Sequence, residues 1–448
     1  MKGIGILWYL VLALAWQACH RPGNDLVECL NKEIAPLPVG LPQEYTDSYL
    51  EALVPWEKYT VIGLGEATHG TMDFFELKQR LFRFLAEQHQ CRVLAYEYSY
   101  RKSLLVNDYI HHKVDCLDSL FQGDLWIQDN ETVRQFIHWM REYNEGRDDH
   151  EQLSFIGIDM QLDAMMIDEV LEQILSYLPG LELDPDIFPY NVQGKKEVRY
   201  EDMNEVEYEE IKSAFLQLEK QVESHAFRLT RLQENYNAGL AINLVHSLLG
   251  SHEFLYLSYA EGKNIRDRQL AGNVLRILNS EDGEAPVVVW AHNAHVANNP
   301  HYTSDGSPAM GWYLRDSLKQ KYLSVATSFS VGQFTAVMLD SAGNDTEPLT
   351  CSILQNPPEE SLNALFHQAR HPQFSLNILD LDRQSPLCRF IDTERPMIGV
   401  GDLYLGSPEL HFTNDRIINL AQAHELLFYY RDTGPLLASI PLYIDIPC

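Results

Sequence analysis

Short, continuous apolar runs separated by segments of helical spacing set the hydrophobic pattern of this 448-residue chain. YTVIGLGEA near 59–67, RVLAYEY near 92–98, LSFIGIDM near 153–160 and PVVVWAHNAHV near 286–296 read as strands buried on both faces. A later group reads the same way: YLSVATSFSV near 322–331, FTAVML near 334–339 and LLFYYRD near 426–432. Between them Phe74, Leu77, Leu81 and Leu85 recur at helical spacing, as do Val133, Phe136, Ile137 and Met140. Strands alternating with helices predict an α/β fold with a largely parallel central sheet flanked by helices.

The segment 200–281 breaks the alternation. It is rich in Glu, Leu, Gln and Ala, contains no proline, and reads as two or three long helices. So long a gap between strands exceeds an ordinary crossover, and an inserted helical lid subdomain is expected there. The chain then divides into a leader at 1–18, a first α/β part at 24–199, the insertion at 200–281 and a second α/β part at 282–448.

The leader rests on its own pattern. Met1-Lys2 precedes an apolar run from Gly3 to Ala18, followed by Cys19 and the polar, turn-rich HRPGND. The run is short for a membrane span and matches a secretory signal. A cysteine directly after it suggests a bacterial lipoprotein, cleaved before Cys19 and lipidated there, in the periplasm or cell envelope. The alternative is a plain signal peptide cleaved nearby.

Composition adds exclusions. With 45% hydrophobic and 22% charged residues, the chain is an ordinary globular sequence. A formal net charge of −30 repels phosphate backbones and anionic lipid. Nucleic acid is therefore not an expected partner, and membrane contact is expected only through a lipid anchor. The remaining cysteines (Cys29, Cys91, Cys116, Cys351, Cys388 and Cys448) form no CxxC pair, which argues against a zinc ribbon or a thioredoxin-like motif. Export permits disulfides, but sequence does not fix their connectivity.

The chemistry gathers at the strand ends. VIGL runs into Gly65-Glu66-Ala67-Thr68-His69-Gly70, RVLAYEY contains Glu97, LSFIG runs into Asp159 with Gln161 beyond it, and VVVW runs into Ala291-His292-Asn293-Ala294-His295. Ligands of parallel α/β sheets bind beyond the carboxyl ends of the strands, so these groups are expected to converge. Burying them without partners would cost several kcal/mol each, about 2–7 for a polar group. Taken singly, each has a plain structural reading: Thr68 as a cap for the helix starting near Thr71, His292 as a core histidine bonded to a carbonyl.

Together they supply hydrolysis by activated water. Histidine titrates nearest neutrality and is the natural proton acceptor. Glu66, three residues before His69, is placed to orient it. Glu97 is a second orienter or a holder of the water, and His292 or His295 stabilises an oxyanion or protonates a leaving alcohol. GxSxG is absent, so no nucleophile elbow of the usual hydrolase type is indicated. Metal binding is the rival, since the same histidines and glutamates are zinc or manganese ligands by type, although HNAH is not HExxH.

At these residues the sequence resembles the erythromycin esterase family. GLGEATHGTMDFFELKQRLFRFL is similar to the family's first block, and AYEY, GIDMQ and VVVWAHNAHV to the next three, in order. Weaker similarity continues at Arg266-Asp267 with Asn273 in RDRQLAGN, at Met310-Gly311, at SFSVGQFTA and at LFYYRDT, so that it runs from about 50 to 435. The resemblance implies that His69 is the general base, that Glu66 and Glu97 orient base and water, and that His292 assists at the carbonyl or leaving group with His295 in support. It implies a substrate-binding or supporting role for Lys78, where the family usually has arginine, and for Asp159 and Gln161. A carboxylic ester or lactone, macrolide-like or otherwise bulky, is the implied substrate. No cofactor is required, with a divalent metal as the alternative. A non-catalytic envelope binding protein that kept the fold is a further alternative.

Overall fold

The computed structural model describes residues 22–38, 43–117, 127, 129–161, 163–183, 199–230, 236–262, 264–280, 285–301, 306–341, 343–412 and 417–436. The expected leader and the lipidation position Cys19 lie outside the described residues. Strands are β1 (Ile34–Pro36), β2 (Val61–Glu66), β3 (Val93–Ser99), β4 (Ser154–Asp159), β5 (Val287–His292), β6 (Tyr322–Ala336), β7 (Leu349–Ile353), β8 (Gln373–Asn377), β9 (Arg395–Pro396), β10 (Ile417–Ile418) and β11 (Leu426–Thr433). The fold class is α/β with a mostly parallel sheet flanked by helices, as the alternating pattern predicts. The described residues fall into two compact units: one drawn from 22–56, 65–77 and 324–436, the other from 57–64 and 78–323.

In the unit containing Lys78–Leu323 the strand order is β2-β5-β3-β4. β3 runs parallel to both β5 and β4, with Val93 opposite Val287 on one side and Ser154 on the other. Every residue of β5 is buried, which is why this strand reads as a continuous apolar run rather than an alternating one. Val93, Ala95, Val287 and Val289 pack against Leu270, Val274 and Leu314, contributed by helices Arg266–Ser280 and Met310–Leu318. The run near 286–296 is strand only to His292; Asn293–Val296 is a single helical turn capped by the His292 side chain.

Helices Glu205–Thr230, Tyr236–Glu261 and Arg266–Ser280 fill the segment where the sequence places its helical insertion. Phe215, Leu218 and Val222 of the first pack with Leu244, Val245 and Leu248 of the second and with Val170, Leu171 and Ile174 of helix Ile167–Tyr177. Each fully buried side chain of this kind contributes about 1.5–3 kcal/mol, so packing rather than intrinsic propensity holds these helices. By their contacts they belong to the same unit as β3, β4 and β5.

In the other unit the order is β1-β8-β11-β6. β11 is parallel to β6 and antiparallel to β8, β1 is antiparallel to β8, and β7 is antiparallel to β6. The two apolar runs near 322–331 and 334–339 are not separate strands. They are largely one, β6, which continues through Gly332 at φ +125°. A Cβ on Gly332 would lie 2.4 Å from the Thr433 amide nitrogen. Glycine thus lets the strand bend and keep pairing where another residue would end it.

The turn from β2 to helix Met72–Gln88 is pinned from several sides within this unit. Ala67 donates its amide to Thr327 Oγ1 (3.0 Å) and accepts from the Val400 amide (2.7 Å). Gly70 accepts from the Thr335 and Leu436 amides at 2.9 and 2.7 Å. The Asp73 carboxylate accepts from the Gly434 amide at 2.8 Å. Thr68 Oγ1 accepts the Gly70 amide at 2.9 Å and so closes the turn itself.

Two outcomes follow from this packing. A Cβ at Gly70 would sit 1.8 Å from the Thr335 carbonyl oxygen, which is backbone and cannot yield. Gly70→Ala is expected to lower stability by about 3 kcal/mol in urea titrations, with loss of any function carried by the adjoining turn. Buried His424, hydrogen-bonded to Ser324 Oγ at 2.8 Å, is pushed by burial from 6.5 down to about 3. The unfolded chain then binds a proton that the folded chain refuses, so this contribution to stability is present above 6.5 and is lost as pH falls toward 3. The urea midpoint is expected to decline over that window, and less steeply in His424→Asn.

Candidate active site

The first cluster lies where β2 ends. Glu66 is 2% exposed, and its Oε1 lies 2.7 Å from His69 Nδ1. A carboxylate accepts only, so the neutral imidazole carries its proton on Nδ1 and its lone pair on Nε2. The His69 side chain keeps 16% of its surface exposed, against 3% for Glu66. A buried charge needs such a partner, and the pairing leaves a solvent-accessible ring with a basic nitrogen of defined position. The pinned turn at Ala67 and Gly70 fixes the backbone on both sides of this pair.

The second cluster is built around Arg266, the first residue of helix Arg266–Ser280. Its Nη2 donates to Asp159 Oδ2 at 2.6 Å and to Glu97 Oε1 at 2.8 Å, while Nε donates to Asp159 Oδ2 at 3.2 Å. Nη1 lies 2.9 Å from His295 Nε2. Burial by itself lowers the guanidinium, but the Asp159 and Glu97 carboxylates outweigh it and hold Arg266 well above its ordinary value. The other Glu97 oxygen, Oε2, accepts the His292 backbone amide at 2.9 Å. Thus the Glu97 carboxylate is bonded at both oxygens and ties β3 to the end of β5.

Both histidines of the HNAH turn are buried. His292 Nδ1 accepts the Ala294 amide at 3.3 Å, so its neutral form carries the proton on Nε2. His295 Nδ1 lies 2.8 Å from Asp267 Oδ1, which also accepts the Met310 amide at 2.7 Å. Asp159 Oδ1 accepts the Gln161 amide at 3.2 Å, and the Gln161 carbonyl accepts from Ser251 at 3.2 Å, linking this loop to helix Tyr236–Glu261. Asn273 donates to the Ile158 carbonyl at 2.6 Å and so anchors the arginine-bearing helix on β4.

Lys78 is buried, with 1% of its surface exposed. Its ammonium donates to the Ala291 carbonyl at 3.1 Å and sits 4.6 Å from the centre of the Trp290 ring. It braces the strand that carries His292. The structure therefore pairs Glu66 with His69, and gathers Glu97, Asp159, His292 and His295 about Arg266.

Arg266 and Asp267 are absent from the site residues singled out in the sequence, although both lie in a matching block. A signal was available. A cation on the first residue of a helix opposes the helix dipole, and such a placement needs anions from elsewhere in the fold.

The second cluster does not fit a divalent metal. Its two carboxylates already share a resident guanidinium, and one nitrogen of His295 accepts from the same group. Among the described residues no group of three or more His, Cys, Asp or Glu side chains is arranged to hold a metal ion.

Comparison with known proteins bears on the family and the fold. The profile of the erythromycin esterase family matches residues 86–433. Erythromycin esterase type II of Escherichia coli is 26% identical over 305 residues, covering 60% of this chain and 69% of its own length. A crystal structure of a Bacillus cereus protein superposes with a TM-score of 0.76 at 18% identity, covering 93% of this chain and 99% of the other. A mutant of the erythromycin esterase EreC in its open conformation superposes at 0.60 with 16% identity, covering 86% and 94%. At those identities the superpositions speak for the fold. On the match of the family profile over most of its length, the chain belongs to the erythromycin esterase family, and with it to the hydrolases.

Proposed function

We propose that this hydrolase cleaves a carboxylic ester or lactone by direct attack of water, with His69 as the general base. The observation that carries the reading is the 2.7 Å contact between His69 Nδ1 and the buried Glu66 carboxylate. The carboxylate fixes the tautomer that leaves Nε2 as a proton acceptor and stabilises the imidazolium formed on proton transfer.

The steps balance without a covalent intermediate. A water proton passes to His69 Nε2 as the oxygen attacks the carbonyl carbon. The family resemblance assigns His292, whose neutral form carries its proton on Nε2, to the oxyanion or the leaving group. Collapse breaks the carbon–oxygen bond of the leaving alcohol, which takes up the proton held by His69. The products are an alcohol and a carboxylic acid, which gives its remaining proton to solvent near neutrality; from a lactone the product is a hydroxy acid heavier by one water. Glu97, bonded at both oxygens, orients the HNAH turn, and Asp159, Gln161, His295 and Lys78 support it.

The E. coli relative bears the name of a macrolide esterase, which supports a bulky cyclic or acylated substrate of that kind. The amino-terminal pattern supports export, with an anchor at Cys19. Arg266 at the centre of the Glu97–Asp159 pair supports a reaction with no metal step.

His69→Ala is expected to lower kcat by about 10²–10⁴-fold, while the urea midpoint stays near that of the parent protein. Glu66→Gln is expected to lower kcat with little change in KM, because its role is exercised as the base becomes charged. Dialysis against a chelator is expected to leave hydrolysis intact. Turnover by His69→Ala at the parent rate ends the proposal, and activity lost to chelator and restored by a divalent cation replaces it with a metal-dependent one.

A further inference from the structure

The proton between Arg266 and His295 has only one possible owner. A guanidinium is donor-only and stays protonated, so at the 2.9 Å contact His295 Nε2 is the acceptor. The single proton of the neutral ring then sits on Nδ1, which faces Asp267 Oδ1 at 2.8 Å. His292, three residues earlier, has the opposite assignment, since its Nδ1 accepts the Ala294 amide. The two histidines of the turn are therefore different reagents: His292 carries a donor at Nε2, whereas the His295 Nε2 lone pair is taken up by arginine.

The alternative state is close by. His295 Nε2 also lies 3.3 Å from Glu97 Oε1. If that nitrogen carried a proton it would donate to Glu97, and the N–H of Arg266 would point at another N–H. The same arginine holds Glu97 Oε1 at 2.8 Å and Asp159 Oδ2 at 2.6 Å. Planar, bridging donation to three acceptors is a geometry that lysine, a point donor, does not reproduce.

We infer that Arg266 is a positioning residue: its guanidinium holds His295 as the neutral Nδ1–H tautomer and fixes the Glu97 carboxylate that carries the His292 amide. The kinetic part of this inference rests on the proposed hydrolysis; the tautomer does not. Arg266 acts through His295 and Glu97, which set the direction in which His292 offers its donor.

The test is nitrogen-resolved NMR of the histidine rings in the intact protein with isotope-labelled histidine at neutral pH. The His295 signals are assigned by their loss in His295→Asn. The parent protein is expected to show His295 protonated at Nδ1 only. In Arg266→Lys the ring is expected to shift toward the Nε2–H form, donating to Glu97. In Asp267→Asn, which retains an acceptor for Nδ1–H, the tautomer is expected to persist. An Nε2–H ring or an imidazolium in the parent protein overturns the inference, as does an unchanged Nδ1–H ring in Arg266→Lys.

The kinetic arm follows ester hydrolysis. Arg266→Lys is expected to lose about tenfold or more in kcat with KM within about twofold. An altered tautomer with unchanged kcat overturns the positioning role. Because the spectroscopic arm needs no substrate, a protein inert toward every ester still tests the tautomer assignment. That inertness defeats the hydrolytic reading alone.

Discussion

A buried carboxylate must be answered by a proton donor, and the local architecture around Glu66 follows from that constraint. Glu66 terminates a strand that is wholly buried, so its charge has no solvent to rely on. The His69 ring, three residues on, supplies the partner. For this to happen the intervening backbone must turn sharply, and it is held there by the Ala67 and Gly70 hydrogen bonds and by a glycine with no room for a side chain. The result converts an electrostatic cost of burial into a histidine of defined tautomer.

The same economy operates in the second cluster with the signs reversed. There a buried cation, Arg266, answers two carboxylates from adjacent parallel strands. Breaking either side would strand a charge, which is costly in a way that a surface ion pair is not. The helix that brings Arg266 is itself fastened by Asn273 to the β4 carbonyl and by packing of Leu270 and Val274 on the sheet. Charge placement, helix docking and the orientation of the HNAH turn are thus one problem with one solution.

Much of this was legible in the amino-acid sequence because strands buried on both faces write themselves as unbroken apolar runs. Val61–Glu66, Val93–Ser99, Ser154–Asp159 and Val287–His292 all coincide with such runs, and each carries an ionisable residue at or near its end. Short strands left no such trace: Ile34–Pro36 and Gln373–Asn377 are too brief for a pattern. The bend at Gly332 was hidden because a glycine in an apolar run reads as an interruption until the partner strand is known. Arg266 was obscured for a different reason. It enters from a helix more than a hundred residues from Glu97 and Asp159 in sequence, and its role is set by charges that only the tertiary fold assembles.

The central claim is that the imidazole of His69, held by Glu66, takes the proton from water. Chemical rescue tests it most directly, by following ester or lactone hydrolysis in His69→Gly with imidazole added to the solution. The account predicts that imidazole restores turnover saturably, and that the restored rate largely disappears when Glu66→Gln is added. Hydrolysis by His69→Gly at the parent rate without imidazole, or rescue that is indifferent to Glu66, would contradict it.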